Sequence, residues 1–180
     1  MAATQEDYDW VQRFQNPKER ANAFSQWIEI HQRSLYLHIF RMTGSHQDTD
    51  DLLQESFIKA WNHIDDFQFK SKLRTWLFSI AIHETLSFLR KKRLTQSLTD
   101  MQDEIASVSG MDAEEGELLR IKLTAAVAEL PAKQQAVFCM RYFQELPYGE
   151  IAAITGTSEG ALKASYFHAA QKIEKYILGH

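Results

Sequence analysis

The segment FQFKSKLRTWLFSIAIHETLSFLRKKR, residues Phe67 to Arg93, decides the fold class of this chain. Its large apolar residues recur every three or four positions, which is the spacing of one face of an α-helix. The stripe consists of Leu73, Trp76, Leu77, Ile80, Leu86 and Leu89. The same spacing continues in the other apolar segments, and only seven glycines and three prolines interrupt the 180 residues. We therefore predict an all-α fold with one helix over residues 72–93.

Local start and stop signals predict the other helices. Gly44 is expected to end a long second helix, and Asp48 or Thr49 to cap the third. Pro131 is well placed to open a helix in the last third of the chain. The predicted helices cover residues 4–15, 18–43, 48–64, 112–129, 131–143, 147–154 and 158–177.

Charge makes the same Phe67 to Arg93 segment a candidate nucleic-acid surface. It carries seven lysines and arginines against the single acid Glu84, in a chain whose formal net charge is −4. Cations neutralise phosphates, and aromatic faces stack on bases that have left the duplex. The alternative is a core helix with a solvated basic end.

Acidic segments flank this basic block on both sides. Residues 44–66 carry six acids against Lys59, and residues 94–119 carry seven acids with no lysine or arginine. Because the hydrophobic period also disappears after Leu94, we predict a flexible acidic linker there. The expected organisation is one helical domain over residues 1–93, the linker over 94–111, and a smaller helical domain over 112–180.

The smaller domain contains PYGEIAAITGTSEGALKASYFHAAQKI, residues 147–173, which has the form of a helix-turn-helix. Gly156 lies in the turn, and Ser158 is the expected N-cap of the second helix. The inner stripe of that helix is predicted to be Leu162, Tyr166, Ala169 and Ile173. The outward face, available to a DNA major groove, is predicted to be Ser158, Glu159, Gly160, Ala161, Lys163, Ala164, Ser165 and His168. A plain helical hairpin is the alternative.

The acidic segment DTDDLLQESFIKAW, residues 48–61, predicts either a solvated helix face or a docking surface for a basic helical partner. We expect no enzymatic activity, because the chain lacks a phosphate-binding loop, a nucleophile elbow and an apolar carboxylate pair. No cofactor or metal is expected, since His31 and His38 have no cysteine or acid at a ligand position. The single cysteine, Cys139, is predicted to be buried.

Taken in order, three segments resemble the extracytoplasmic-function class of bacterial RNA polymerase sigma factors, from about residue 20 to 178. The first is DTDDLLQESFIKAW, which is similar to the family helix that docks on the clamp helices of the polymerase β′ subunit. The second is FKSKLRTWLFSIAIHETLSFLRKKR, residues 69–93, similar to the segment that melts and reads the −10 promoter element. The third, residues 130–173, resembles the domain that reads the −35 element.

The resemblance implies three groups of site residues. Core polymerase binding falls on Asp51, Leu52, Gln54, Glu55, Phe57 and Trp61. Contact with the −10 element falls on Lys70, Ser71, Lys72, Arg74, Thr75, Trp76, His83, Ser87, Arg90 and Lys91. Contact with the −35 element falls on the outward face of the helix-turn-helix.

The chain departs from the family pattern at four of these positions. His83 and Ser87 stand where the family usually has asparagine and aspartate, which changes the expected −10 base preference. Ser165 and His168 stand where arginine is frequent, so anchoring of this helix to phosphates should be weaker than is usual.

The partners implied by the resemblance are core RNA polymerase, through its β′ clamp helices and β flap, and promoter DNA. An anti-sigma protein is expected from the family, although no residue here points to one. A bilayer-spanning run and a signal-peptide layout are both missing from the sequence, so we expect a cytoplasmic protein. The rival functions are a stand-alone helix-turn-helix regulator and a protein-interaction module whose basic block meets an acidic partner.

Overall fold

The computed structural model describes residues 3–96 and 115–179, and within these ranges the side chains of residues 3–92 and 119–179. Its regular structure is entirely helical there, which confirms the predicted all-α class. The helices are α1 (Gln5–Gln15), α2 (Arg20–Thr43), α3 (His46–His63), α4 (Leu73–Gln96), α5 (Glu115–Ala128), α6 (Ala132–Phe138), α7 (Tyr148–Thr155) and α8 (Glu159–Leu178). None of them is both long and apolar enough to cross a membrane.

The predicted cap of α3 was wrong. Ser45 is the N-cap, and its hydroxyl accepts a hydrogen bond from the Asp48 N–H. Thr49 lies one turn inside the helix, where its buried hydroxyl donates to the Ser45 carbonyl over 2.6 Å. The predicted stop at Gly44 is confirmed, because this residue closes α2 in the left-handed conformation at φ 68°.

Helices α1 to α4 pack around an aromatic and aliphatic core. Trp27 and Phe14 are its largest fully buried side chains, and their rings meet edge to face at 5.8 Å. The apolar stripe of α4 contributes Leu73 and Leu77, both 0% exposed. Burying a side chain of this size stabilises a fold by about 1.5–3 kcal/mol, so this stripe holds α4 in place.

Asp7 and His38 are two of the polar side chains buried in this first group. Asp7, in the first turn of α1, caps two helices at once: it accepts hydrogen bonds from Thr4 and from the Leu73 N–H, 3.0 Å away at the start of α4. His38, on α2, is fully buried, and among the described residues neither of its ring nitrogens has a hydrogen-bond partner. Burial, with a smaller contribution from Arg41, lowers the pKa of His38 to about 3.

Helices α5 to α8 form the second group, whose core includes Phe138, Cys139 and Ala169. The predicted burial of Cys139 is confirmed at 0% exposure, and desolvation raises the pKa of its thiol to about 12. The end of α6 widens into one π-helical turn, Cys139–Phe143. Leu130 is buried directly before Pro131, which is the N-cap of α6.

The two groups pack against each other and share one continuous apolar core. Helix α4 packs on α7 and α6, and α2 also reaches α6. Gln135 of α6 donates to the Arg41 carbonyl over 2.8 Å, and the Arg41 guanidinium lies 4.0 Å from the Phe143 ring centroid. The predicted linker, residues 94–111, falls largely outside the described residues.

Candidate nucleic-acid interface and docking groove

The predicted −10 residues lie on α4 and on the loop before it. Lys70, Arg74, His83, Arg90 and Lys91 are exposed, and Ser71, Lys72, Trp76 and Ser87 are half-buried. The loop therefore continues directly into a helix that presents most of these side chains to solvent. This is the arrangement that a basic surface for single-stranded nucleic acid requires.

Thr75 is the exception, because it is only 5% exposed. Its hydroxyl donates to Glu150 Oε2 over 3.0 Å, and Lys72 Nζ lies 4.0 Å from Oε1 of the same carboxylate. Glu150 belongs to α7 and is 7% exposed. One part of the predicted −10 surface is thus covered by the helix-turn-helix group.

A cleft between α4 and the second group continues this contact. It has a volume of about 190 Å³ and contains side chains from both predicted DNA surfaces, His83 from the −10 set and Ser165 from the −35 set. A wider opening of about 610 Å³ adjoins it, between Arg90 of α4 and Lys133 of α6. The cleft brings together residues that were predicted to contact separate promoter elements.

Trp76 lines a different groove, between the end of α3 and α4. Ile80, His83 and Glu84 lie in the same groove, which has a volume of about 370 Å³. Lys59 of α3 forms ion pairs with Glu84 and Glu55, and the hydrogen bond to Glu84 is the main cause of its raised pKa. The acidic and basic helices are therefore joined electrostatically along this side.

A second ion pair links the same two helices near their other ends. Lys92 Nζ lies 3.1 Å from Oδ2 of Asp48. Lys92 belongs to the cationic run that ends the basic segment, so one cation of this run already forms an ion pair within the protein. The other neighbouring cations, Arg90 and Lys91, present exposed side chains.

The residues predicted to face outward on α8 are nearly all exposed. Ser158 caps the helix by accepting from the Ala161 N–H. Leu162, Ala169 and Ile173 of the predicted inner stripe are buried, and its fourth member, Tyr166, is half-buried. The predicted outward residues are exposed, except Ser165, which is half-buried in the cleft. The side chains exposed there are Ser158, Glu159, Ala161, Lys163, Ala164 and His168, together with the bare Gly160.

Sequence reasoning missed Phe167 on this face. Its ring is 57% exposed and lies 5.8 Å from the ring of His168. Helical spacing in the sequence indicates this position, because Phe167 follows Lys163 by four residues and Ala164 by three. It therefore shares their side of the helix.

An apolar groove between α2 and α3 contains much of the predicted docking surface. It has a volume of about 420 Å³, and Gln54, Phe57 and Trp61 of the predicted set line it. Asp51 and Glu55 are exposed, whereas Leu52 is 4% exposed and belongs to the core. Leu53, which the sequence places between core and interface, also lines this groove, and the residues that sequence reasoning left out are Phe24, Ile28, Asp50 and Ile58. We call it the docking groove.

Among the described residues, no cluster of three or more histidine, cysteine or acidic side chains could hold a metal ion.

Known proteins match this chain in both halves. The family model for sigma-70 region 2 matches residues 27–95, and the model for sigma-70 region 4 matches residues 120–173. The RNA polymerase sigma factor YlaC of Bacillus subtilis is 31% identical over 142 residues, which cover 77% of this chain and 82% of that protein. The sigma factor SigW of the same organism is 28% identical, with 87% and 89% of the two chains covered.

The match with a longer relative is partial. The sigma factor SigG of Mycobacterium tuberculosis is 30% identical over 181 residues, covering 87% of this chain but 49% of that protein. This chain therefore spans about half the length of that relative.

Two solved structures have the same arrangement of helices. The sigma factor RpoE of Bartonella quintana, solved in complex with the anti-sigma factor NepR, has a TM-score of 0.71 and 26% identity, with 86% of this chain and 96% of that one covered. CnrH, solved in complex with the cytosolic domain of CnrY, also has a TM-score of 0.71, at 21% identity over 96% and 97% of the two chains. At 21% identity, the similarity to CnrH supports the fold alone.

Proposed function

This chain belongs to the extracytoplasmic-function sigma factors of RNA polymerase, and from that membership we propose that it binds core RNA polymerase and directs it to promoters through their −10 and −35 elements. One observation carries the proposal: a docking groove, a basic helix and a helix-turn-helix follow one another in a single chain. A stand-alone regulator needs only the last of these and leaves the docking groove unexplained.

The docking groove suits a basic amphipathic helix. Its floor contains Phe57 and Trp61, and the carboxylates of Asp51 and Glu55 are exposed on the same helix. Apolar floors with charged rims are typical of protein interfaces, in which the charges steer the partner and fix its register. We assign this groove to the clamp helices of the polymerase β′ subunit, and the second helical group to the β flap.

Contact with the −10 element is assigned to α4 and its preceding loop. Lys70, Arg74 and Arg90 are exposed there and can neutralise the backbone of a melted strand, and the exposed His83 ring can contact its bases. The predicted outward face of the helix-turn-helix, Ser158 to His168, has a single lysine, Lys163, and the chain as a whole is acidic. We therefore propose that the helix-turn-helix binds the −35 groove weakly and needs polymerase to hold it there.

Simultaneous contact with both elements requires the two helical groups to separate. Helix α7 covers Thr75, so this residue reaches DNA only after α7 moves away from α4. We propose that docking on core polymerase drives this separation. We also propose an anti-sigma protein as a partner, on the likeness to RpoE, which was solved with one.

The acidic segment of residues 94–119, which includes the predicted linker, has a separate proposed role. Residues 94–119 carry seven acids and no lysine or arginine. On this charge we propose that the segment lies in the cationic nucleic-acid channel of polymerase until nascent RNA displaces it. Neutralising its acids is expected to change the ratio of abortive to full-length transcripts, and an unchanged ratio would count against the role.

Sigma factors are initiation factors without enzymatic activity, and we propose the same of this chain, with no cofactor. Because its proposed partner is RNA polymerase, its place of action is the cytoplasm.

Run-off transcription with purified core polymerase on a promoter library tests the function. The wild-type chain is expected to select a subset of promoters. Lys72→Ala, Arg74→Ala and His83→Ala should lower initiation, while Lys175→Ala, an exposed lysine in the last turn of α8, should not. If the wild-type chain supports no initiation on any promoter while a reference sigma factor does, the proposal fails. DNA binding that is tight without polymerase would favour the stand-alone regulator.

A further inference from the structure

Helix α1 is attached to the −10 loop at two points, although it precedes the residues matched by the region 2 model. Asp7 accepts the Leu73 N–H at the start of α4. One residue later, the Tyr8 ring lies parallel to the Phe69 ring, with the centroids 4.3 Å apart and 6° between the planes. Because Lys70 to Lys72 lie between these two points, α1 fixes the part of the loop that precedes the basic helix.

Phe69 has an unusual backbone. Its φ is 55°, which makes it one of only two non-glycine residues with positive φ among those described. Residues with a Cβ rarely adopt this left-handed conformation, and when they do the surrounding structure holds them there, often at a functional site. The rings that hold Phe69 are Tyr8 on one side and Phe67, edge to face at 4.9 Å, on the other.

The ring series continues from the loop into α4. Phe67 is buried, and its ring meets Trp76 at 5.6 Å. Tyr8 is the outermost member and is 48% exposed. A continuous series of aromatic rings therefore begins in solvent at α1 and ends in the core under the predicted −10 helix.

The charges beside this surface suit a nucleic-acid strand on one side only. Lys70 is exposed, and within the described residues no carboxylate forms an ion pair with it, whereas Lys72 Nζ lies 4.0 Å from Glu150 Oε1. On α1 the exposed neighbours of Tyr8 include Asp9, which repels phosphates. A strand that stacks a base on Tyr8 would hence run its backbone along the loop, toward Lys70 and Lys72.

We propose that the exposed face of Tyr8, held in place by Phe69 behind it, is a stacking surface for one unpaired base of the −10 non-template strand. This makes α1 a part of the −10 reader, beyond the residues that the family resemblance assigned. The inference rests on the proposed function, because only a strand melted by the polymerase complex presents such a base. Stacking accepts any base, so the contact is expected to hold the strand open without selecting its sequence.

The test uses polymerase complexes assembled with the full chain and promoter DNA containing 2-aminopurine at successive −10 non-template positions. The fluorescence of this base is quenched when it stacks. With the wild-type chain and with Tyr8→Phe, one position is expected to be quenched relative to its neighbours. With Tyr8→Leu, which keeps apolar bulk but lacks an aromatic face, that quenching should disappear, and the half-life of the open complex should fall about tenfold.

Tyr176→Ala is the matched control, since Tyr176 has the same 48% exposure but lies near the end of α8. It should behave as wild type. The proposal is overturned if Tyr8→Leu retains both the quenched position and the wild-type half-life, or if all −10 positions change equally. If the wild-type chain forms no open complex, both the proposed function and the stacking proposal fail. If it forms one and Tyr8→Leu behaves as wild type, only the stacking proposal fails, so the two outcomes are distinguishable.

Discussion

Thr75 and Glu150, 75 positions apart, are joined by a buried hydrogen bond of 3.0 Å that links helix α4 to helix α7. Neither residue belongs to an apolar stripe, and both are almost inaccessible to solvent. The bond connects a residue of the predicted −10 set to the helix-turn-helix group. Its strength therefore influences how readily the two groups separate.

Replacing the acceptor should open the chain. In Glu150→Ala the Thr75 hydroxyl loses its partner, and a buried group left unsatisfied costs about 1–3 kcal/mol. We expect a larger radius of gyration in small-angle scattering of the free chain and a lower free energy of unfolding in urea. Glu145→Ala, an exposed acid in the same group, is the control. Identical scattering from wild type and Glu150→Ala would contradict the prediction.

Stability should fall as the solution becomes acidic, because of His38. Its pKa is about 3 in the folded chain, against about 6.5 in an unfolded chain. Between these values the unfolded chain binds a proton that the folded chain does not, so stability is lost as pH falls below about 6.5. For His38 alone the loss from pH 7 to pH 5 is about 2 kcal/mol.

Urea unfolding of wild type and His38→Leu at both pH values measures this contribution. The variant should lose less stability on acidification. Part of the effect will remain, because burial also lowers the pKa of His31, to about 4. His63→Leu, at an exposed histidine, is the comparison variant. Equal acid sensitivity in wild type and His38→Leu would argue that His38 does not titrate as described.

Ile58 should contribute to polymerase binding without contributing to folding. It lines the docking groove and is 52% exposed. Ile58→Asp places a charge where an apolar partner surface would cover it, and we expect at least a tenfold loss in competition with a reference sigma factor for core polymerase. Ile30→Asp, on an isoleucine of α2 that is 59% exposed outside this groove, is the matched control. Equal binding by the two variants would remove Ile58 from the interface.

Phe167 should read a thymine methyl group in the −35 element. Apolar side chains contact this methyl in the major groove, and one buried methyl contributes about 0.8 kcal/mol, or roughly fourfold in affinity. Replacing the contacted thymine by deoxyuridine should weaken binding of the wild-type polymerase complex by this factor. In Phe167→Ala the replacement should have no further effect. If deoxyuridine at every −35 thymine weakened binding of wild type and Phe167→Ala by the same factor, the contact would be excluded.

The sequence predicted the helices well because their signals are local. Gly44 closes α2, Ser158 caps α8, and the apolar spacing of each helix needs only its own residues. The cap of α3 was misjudged, since Ser45, Asp48 and Thr49 all carry capping side chains. Only the structure shows that Thr49 bonds backward to Ser45 from inside the helix.

The relations between distant segments could not be predicted in this way. Whether Glu150 faces solvent or Thr75 depends on the packing of two helical groups, about which the pattern of either helix says nothing. The stacking of Tyr8 on Phe69 and the positive φ of Phe69 are likewise products of tertiary packing. Leu52 and Ile58 show the same limit on one helix, because an apolar stripe does not tell which member faces the core.

Cys139 makes the separation of the two groups directly measurable. Only the thiolate reacts with maleimides, and this thiol is fully buried with a pKa raised to about 12. Because it is the single cysteine of the chain, the folded protein has almost no background reactivity. One cysteine introduced on the surface of each helical group would accept a dye without removal of the native residue, and the distance between the dyes would report opening during polymerase docking.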